Sequence, residues 1–248
     1  MQERRRTNAE RTHATRAALV AAARDLFVRA GYAVTSTPQI AAAAHVTRGA
    51  LYHHYADKQD LFRAVAEAEA EAVAREIEER TAADPGAAAP ERPAASDAPD
   101  APDAPDAPDA PDARAMLVEG ARAYLDAMGE PGRTRLLLVD APAVLGPAEA
   151  DALDARHARR TLREGLGAAL GAQPGGGSAS HGSGAGDDVA RDLADEERLD
   201  ALTLLLSAAF DRAALALDAG APPGPVRAAV TELVDRVCAP TPAPRPRS

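Results

Sequence analysis

Across residues 12–30 the apolar side chains of Leu19, Ala23, Leu26, Phe27 and Ala30 recur at three- and four-residue intervals, which places them on one face of a helix. Gly31 stops that helix. Ser36 and Gln39 then have the spacing of a capping box. Pro38 falls in a first turn, where its missing N–H does no harm, so a short helix over 37–44 is expected. His45-Val46 makes a tight turn, Thr47 caps a second short helix that ends by His54, and Asp57 caps a longer one over 58–80. Helical patterning resumes over 114–128, over 133–140 where Pro142 is expected to end the run, and over 147–170. Two further helices over 195–219 and 225–237 complete a count of nine, with no convincing strand.

Two stretches break the pattern. Residues 84–112 reduce to Ala, Pro and Asp, with five consecutive Asp-Ala-Pro triplets over 97–111. Proline at every third position favours polyproline II, and the regular charges repel one another, so the segment reads as an extended, solvated spacer. Residues 174–188, rich in Gly and Ser, read as a second flexible loop, and 241–248 as a Pro-rich tail. The expected organisation is therefore a head over 1–63 and a helical body over 64–240 carrying the two disordered insertions. The class is all-α. Much of the 46% hydrophobic content is alanine, with no Trp and 3% aromatics, which suits thin, close-packed helices.

Charge divides along the same boundary. The chain carries −10 in total, yet residues 1–63 hold ten Lys and Arg against five Asp and Glu, a net +5 that leaves −15 for the remainder. A basic head on an acidic body suits DNA contact by the head alone. The lone cysteine, Cys238, cannot form an intramolecular disulfide, and no apolar run approaches the length that spans a bilayer, so a reducing, cytoplasmic setting without a membrane anchor is expected. The enzyme class is set aside: there is no P-loop, G-x-S-x-G, H-E-x-x-H, C-x-x-C or strand-linked G-x-G-x-x-G. No cofactor is expected. Nor is a metal, because the adjacent His53 and His54 would point about 100° apart on a helix.

Three short capped helices, the second and third joined by a tight turn, describe a helix-turn-helix whose third helix enters a major groove. Ile40, Ala41, Ala44 and Val46 would pack the second helix on the first, and Ala50 and Leu51 would hold the third. That leaves Thr47, Arg48, Gly49, Tyr52 and His53 outside. Arg48 could read guanine through O6 and N7, Gly49 would let the backbone come close, and Thr47 or His53 could bond to base edges or phosphate. The helix starts at Thr35, Ser36 and Thr37 and at Asp57-Lys58 would offer N–H groups to phosphate. Arg4-Arg5-Arg6 reads either as a minor-groove arm or as a solvated tail.

Gly31-Tyr32, Thr35-Ser36, Ile40-Ala41, Ala44-His45-Val46-Thr47-Arg48-Gly49, Leu51-Tyr52-His53-His54-Tyr55 and Lys58 together resemble the N-terminal signature of the tetracycline-repressor (TetR) family. The resemblance implies a DNA-binding head, with phosphate contacts beginning at Thr35 and Thr37, recognition by Thr47 to Gly49 and His53, and Tyr52 and Lys58 on the backbone-clamping side. His45 departs from the family's usual glycine, so a side chain must be accepted near a left-handed conformation. Tyr55 replaces the commoner phenylalanine. Residues 113–238 resemble a C-terminal domain of the same family through segments 136–146, 153–157 and 162–166. This implies a helical bundle with a ligand cavity and a homodimer interface on its last two long helices. Tyr124, Asp140, His157 and Phe210, polar or aromatic members of Ala/Leu-rich helices, are the candidate ligand contacts. The expected function is a ligand-responsive regulator, in the repressor mode, that binds palindromic double-stranded operator DNA as a dimer and is released by a small-molecule effector. The alternative is a dimeric helical adaptor or ligand-binding protein that has lost specific DNA binding.

Overall fold

The computed structural model describes residues 8–83, 112–171 and 185–239. The Asp-Ala-Pro triplets, Arg4 to Arg6, and residues 241–248 lie outside the described residues. All elements among those described are helical: α1 (Asn8–Ala30), α2 (Thr37–Ala43), α3 (Arg48–His54), α4 (Lys58–Ala83), α5 (Ala113–Met128), α6 (Arg133–Arg135), a π-helical turn (Leu136–Asp140), α7 (Ala141–Leu145), α8 (Pro147–Arg156), α9 (Ala158–Gly171), α10 (Ala185–Asp218) and α11 (Pro223–Val237).

The head closes on the predicted apolar face. Leu19, Ala23 and Phe27 of α1 are fully buried with Ile40 of α2, Leu51 of α3 and Leu61, Phe62 and Val65 of α4. Phe27, Tyr32 and Phe62 meet edge-on or tilted, with ring centroids 5.1–5.5 Å apart, and form an aromatic cluster in a core otherwise of Leu, Ile, Val and Ala. The local stops act as expected. Gly31 leaves α1 at φ 83°, the Gln39 side-chain carbonyl accepts from the Ser36 N–H at 2.9 Å, and the Thr47 hydroxyl accepts from the Ala50 N–H at 3.1 Å. His45 makes its turn at φ 55°, the one non-glycine with positive φ among the described residues.

In the body, α4 packs on α5 and α9, and α5 packs on α9, α10 and α11. Its core joins Val73 and Ile77 to Leu117, Leu125 and Met128, Leu166, Leu206 and Phe210, and Val230 and Val234. Three expectations change here. Pro142 does not end the helix that begins at Arg133. The backbone widens to π spacing, with the Ala141 N–H bonded to the Leu136 carbonyl, and this makes room for a ring that would clash with the carbonyl four residues back. The run 147–170 is two helices rather than one, because His157 leaves helical geometry at φ −117°, ψ −103°. The helix expected over 195–219 begins at Ala185, so residues 185–188 of the expected loop are helical, and residues 174–184 lie outside the described residues.

Head and body meet at the start of this kinked run. Gly132 (φ 78°) lies so close to α1 that a Cβ there would come within 2.5 Å of the Val28 side chain. Arg133, 7% exposed, donates to Glu69 of α4 at 2.9 Å and to the Ala127 carbonyl at 2.6 Å, while Arg24 of α1 donates to the same Glu69 at 2.8 Å. Burial alone would raise the Glu69 carboxyl, but the bonds from Arg24 and Arg133 outweigh it and the pKa falls. Leu136, Ala141 and Leu153 from the body join the head's own core, so the two parts share one apolar seam.

Candidate nucleic-acid interface and ligand cavities

On α3 and its cap, Thr47, Arg48, Gly49, Tyr52 and His53 are exposed, while Leu51 faces the core. Tyr52, 43% exposed, shares a hydrogen bond of 3.0 Å with the Thr37 hydroxyl at the start of α2, and the Arg48 guanidinium lies 5.5 Å from the centre of its ring. The contact with Thr37, and then with Arg48, lowers the Tyr52 pKa. Thr37, Tyr52 and Arg48 thus form one continuous surface across two helices. A Cβ added at Gly49 would meet only the Thr47 hydroxyl, at 3.9 Å. Glycine in a helix costs about 1 kcal/mol relative to alanine, and nothing within the chain crowds this position. The open position suits a backbone that something outside the chain must approach.

Two of the predicted residues are placed differently. The side chain of Thr35 turns inward: the residue is 3% exposed, and its hydroxyl bonds the Gly31 carbonyl at 2.8 Å and the Leu26 carbonyl at 3.2 Å, closing the end of α1. It is a structural cap, and its side chain is not available to a phosphate. Lys58 also works within the chain. Its ammonium donates to the carbonyls of Tyr32 at 2.9 Å and Thr35 at 3.0 Å and lies 4.2 Å from the centre of the Tyr32 ring, tying α4 to the loop before α2. Ser36 is half-buried and holds Gln39.

The body carries two neighbouring, part-open cavities that share Tyr124 and Ala158. The larger, about 430 Å³, is lined by apolar groups such as Ile77, Met116, Leu117 and Phe210. The smaller, about 320 Å³, is bounded by Leu137 and Leu138 of the π turn and by Asp151, Asp154, Arg159 and Asp211. Of the predicted ligand contacts, Tyr124 lines both, Phe210 the first and His157 the second. Asp140 lines neither, and its carboxylate faces Arg135 at 3.5 Å. His157 itself bonds Glu67 of α4 at 2.7 Å, which anchors the break between α8 and α9. Asp211 was not anticipated. It accepts from the Tyr124 hydroxyl at 2.5 Å, and the available signal was its place with Ser207, one helical turn apart, flanking the apolar stripe of α10.

Residues 19–65 match the family model described as bacterial regulatory proteins, tetR family, and residues 115–173 match the tetracyclin repressor-like C-terminal domain. A segment of 61 residues is 43% identical to the HTH-type transcriptional repressor BepR of Brucella suis, covering 25% of this chain and 29% of that repressor. A TetR-family transcriptional regulator from Pectobacterium atrosepticum is similar over 94% of this chain and 95% of its own, with 28% identity and a TM-score of 0.56. The structure of RolR in complex with resorcinol shares the fold over 97% of this chain and 99% of its own, at 17% identity and a TM-score of 0.54. The matched families and relatives are regulators, not enzymes. No helix among the described residues is long and apolar enough to cross a membrane. A helix-turn-helix head and a helical body, matched in the expected order over residues 19–65 and 115–173, support a TetR-family regulator.

Proposed function

We propose that this chain is a ligand-responsive transcriptional repressor that binds a palindromic DNA operator as a homodimer. The observation that carries the reading is the outer face of α3. Thr47, Arg48, Gly49, Tyr52 and His53 are all exposed, with no place in the core, and Thr37 extends that surface onto α2. Arg48 reads a guanine, Gly49 admits the DNA backbone, and Thr37, Ser36 and Tyr52 meet phosphate, the last two through groups held by Gln39 and Thr37. Lys58 keeps the loop before α2 in position for those contacts, with one ammonium proton left for phosphate. Residues 1–63 act as the head and 64–240 as the regulatory body.

A second copy supplies the other half-site. Leu204 and Leu205 of α10 and Leu233 of α11 are exposed apolar side chains, Leu205 at 67%, and the exposed Ala201 and Ala208 continue the α10 face at helical spacing. Burying that face against its own symmetry mate removes the patch and sets two heads for half-sites about 34 Å apart. The effector occupies the body. The smaller cavity touches Leu137 and Leu138 of the π turn, and the same run carries Gly132 against Val28 and Arg133 against Glu69, so a change in that cavity reaches α1 and α4 through direct contacts. A coupling of roughly 1–3 kcal/mol would be enough to release the operator.

Selection of bound duplexes from a random pool tests the reading, with Arg48→Ala and Tyr52→Ala as comparisons. The expected outcome is a palindrome enriched by the unchanged protein and by neither variant. Equal enrichment by the Arg48 variant, or no enrichment at moderate salt, would sink it.

A further inference from the structure

The smaller body cavity has an unbalanced charge. Three carboxylates line it, those of Asp151 and Asp154 from α8 and Asp211 from α10, against the single guanidinium of Arg159. Arg159 is already committed: its Nε donates to Asp154 at 2.8 Å and its Nη2 to Asp151 at 2.5 Å. The Ser207 hydroxyl fills a further site on Asp154, at 3.0 Å. Asp211 is left with one neutral donor, the buried Tyr124 hydroxyl, and makes no ion pair within 4.0 Å among the described residues. The cavity wall from the remaining elements is largely apolar: Ala70 and Val73 of α4, Met128 of α5, and Leu137 and Leu138 of the π turn. His157, the other titratable group on the wall, is bonded to Glu67. A carboxylate held in such a wall without a cation is expensive to keep ionised, and a ligand that brings the cation removes the cost.

We propose that the ligand of this body is a small organic cation of the protonated-amine class, its N–H group bonded to the Asp211 carboxylate and its apolar part lying against Val73, Leu138 and Leu215 in the same cavity. This rests on the reading of the body as an effector-binding domain and gives that effector a chemical class. A cavity of about 320 Å³ holds an amine with a bicyclic aromatic body. The match also makes binding depend on pH in a defined direction. Burial pushes the Asp211 carboxyl up to about 6, with the nearby Asp154 charge adding to it and the Tyr124 bond and Arg159 opposing it. At about pH 7.5 the carboxylate is charged and ready for a cation, whereas at about pH 5 roughly nine in ten copies are protonated. The affinity for an amine therefore falls by about tenfold over that interval.

Three naphthalene probes of nearly equal size separate the possibilities: 2-(1-naphthyl)ethylamine, which is cationic, 1-naphthaleneacetamide, which is neutral, and 1-naphthaleneacetate, which is anionic. Their binding to the full chain is measured by calorimetry at the two pH values, and again with Asp211→Asn. The amine is expected to bind about tenfold more tightly than the amide at the higher pH, to lose that advantage at the lower pH, and to lose it in the variant while the amide keeps its affinity. Because the pH comparison uses the unchanged protein, it carries the test even if the variant does not fold. If the amide or the acetate binds as tightly as the amine at about pH 7.5, the ligand class is wrong and the binding role of the body stands. Failure of all three to bind overturns the inference together with the effector reading of the cavity. The operator selection described above is independent of either result.

Discussion

Thr35 and Asp211 show how much of a residue's role depends on where the backbone carries it. Read along the chain, Thr35 belongs with Ser36 and Thr37 at a helix start. In the fold its hydroxyl closes the last turn of α1. Thr35→Val should therefore cost about 1–2 kcal/mol in urea unfolding, as two carbonyls lose a buried donor, while the folded protein keeps its operator affinity. Asp211 gives a test with a pH sign. Its carboxyl is higher in the folded than in the unfolded chain, so the unfolded chain releases the proton first. The stability associated with the protonated form is fully present below about pH 4 and is lost as the pH rises through about 6. The penalty at neutral pH is on the order of 2–3 kcal/mol. Urea midpoints should accordingly show Asp211→Asn gaining about 1–2 kcal/mol at about pH 7 and almost nothing at about pH 4. Equal gains at both values would mean that the carboxylate is not strained. Caps such as Ser36, Thr47 and Asp57 were legible because their partners lie three residues away, as in the 2.8 Å bond from the Asp60 N–H to Asp57. Asp211 was not, because its partner Tyr124 and the neighbouring charge of Asp154 come from other helices far away in sequence.

At the scale of elements, periodicity marked the helices well and their interruptions poorly. The head's three helices appear close to their expected bounds, and the left-handed turn at His45 was readable through the resemblance, which places the family's usual glycine there. The π turn before Pro142 and the break at His157 were not. The first accommodates the Pro142 ring without ending the helix, with Leu136 and Ala141 buried in the shared core, and at the second His157 is bonded to Glu67 of α4. Gly132 belongs to the same joint, and its importance also required knowing that α1 passes over it. Gly132→Ala would combine a left-handed backbone with a contact of 2.5 Å to Val28. A loss of about 2–4 kcal/mol in urea unfolding is expected. A loss below about 0.5 kcal/mol would show that α1 and the body are less tightly joined than the geometry implies.

For the molecule as a whole, charge and topology agree. The basic segment is the head, and the remainder is acidic, with Leu204 and Leu205 of α10 and Leu233 of α11 among the exposed apolar side chains of the body. The organisation into a small head and a larger helical bundle was legible because each part has its own helical pattern, although the seam through Leu136, Ala141 and Leu153 joins them more closely than that division implies. Replacing Leu204 and Leu205 together by Glu should leave the fold intact and convert a dimer to a monomer in sedimentation velocity, with a steep fall in operator affinity. A wild-type chain that sediments as a monomer at micromolar concentration would remove the basis for this proposal.

Lys58 is the only lysine in the chain, every other cationic side chain of fixed charge being arginine. Its amine rests on two carbonyls and an aromatic ring at the base of the head. An acylating reagent therefore has a single side-chain amine to find, and it reaches that amine fully only when the loop before α2 lets go. The clamp thus doubles as a built-in chemical reporter: the rate of its acylation measures how often the head loosens, and acylation itself, by removing the charge and two of the three donors, would hold the clamp open.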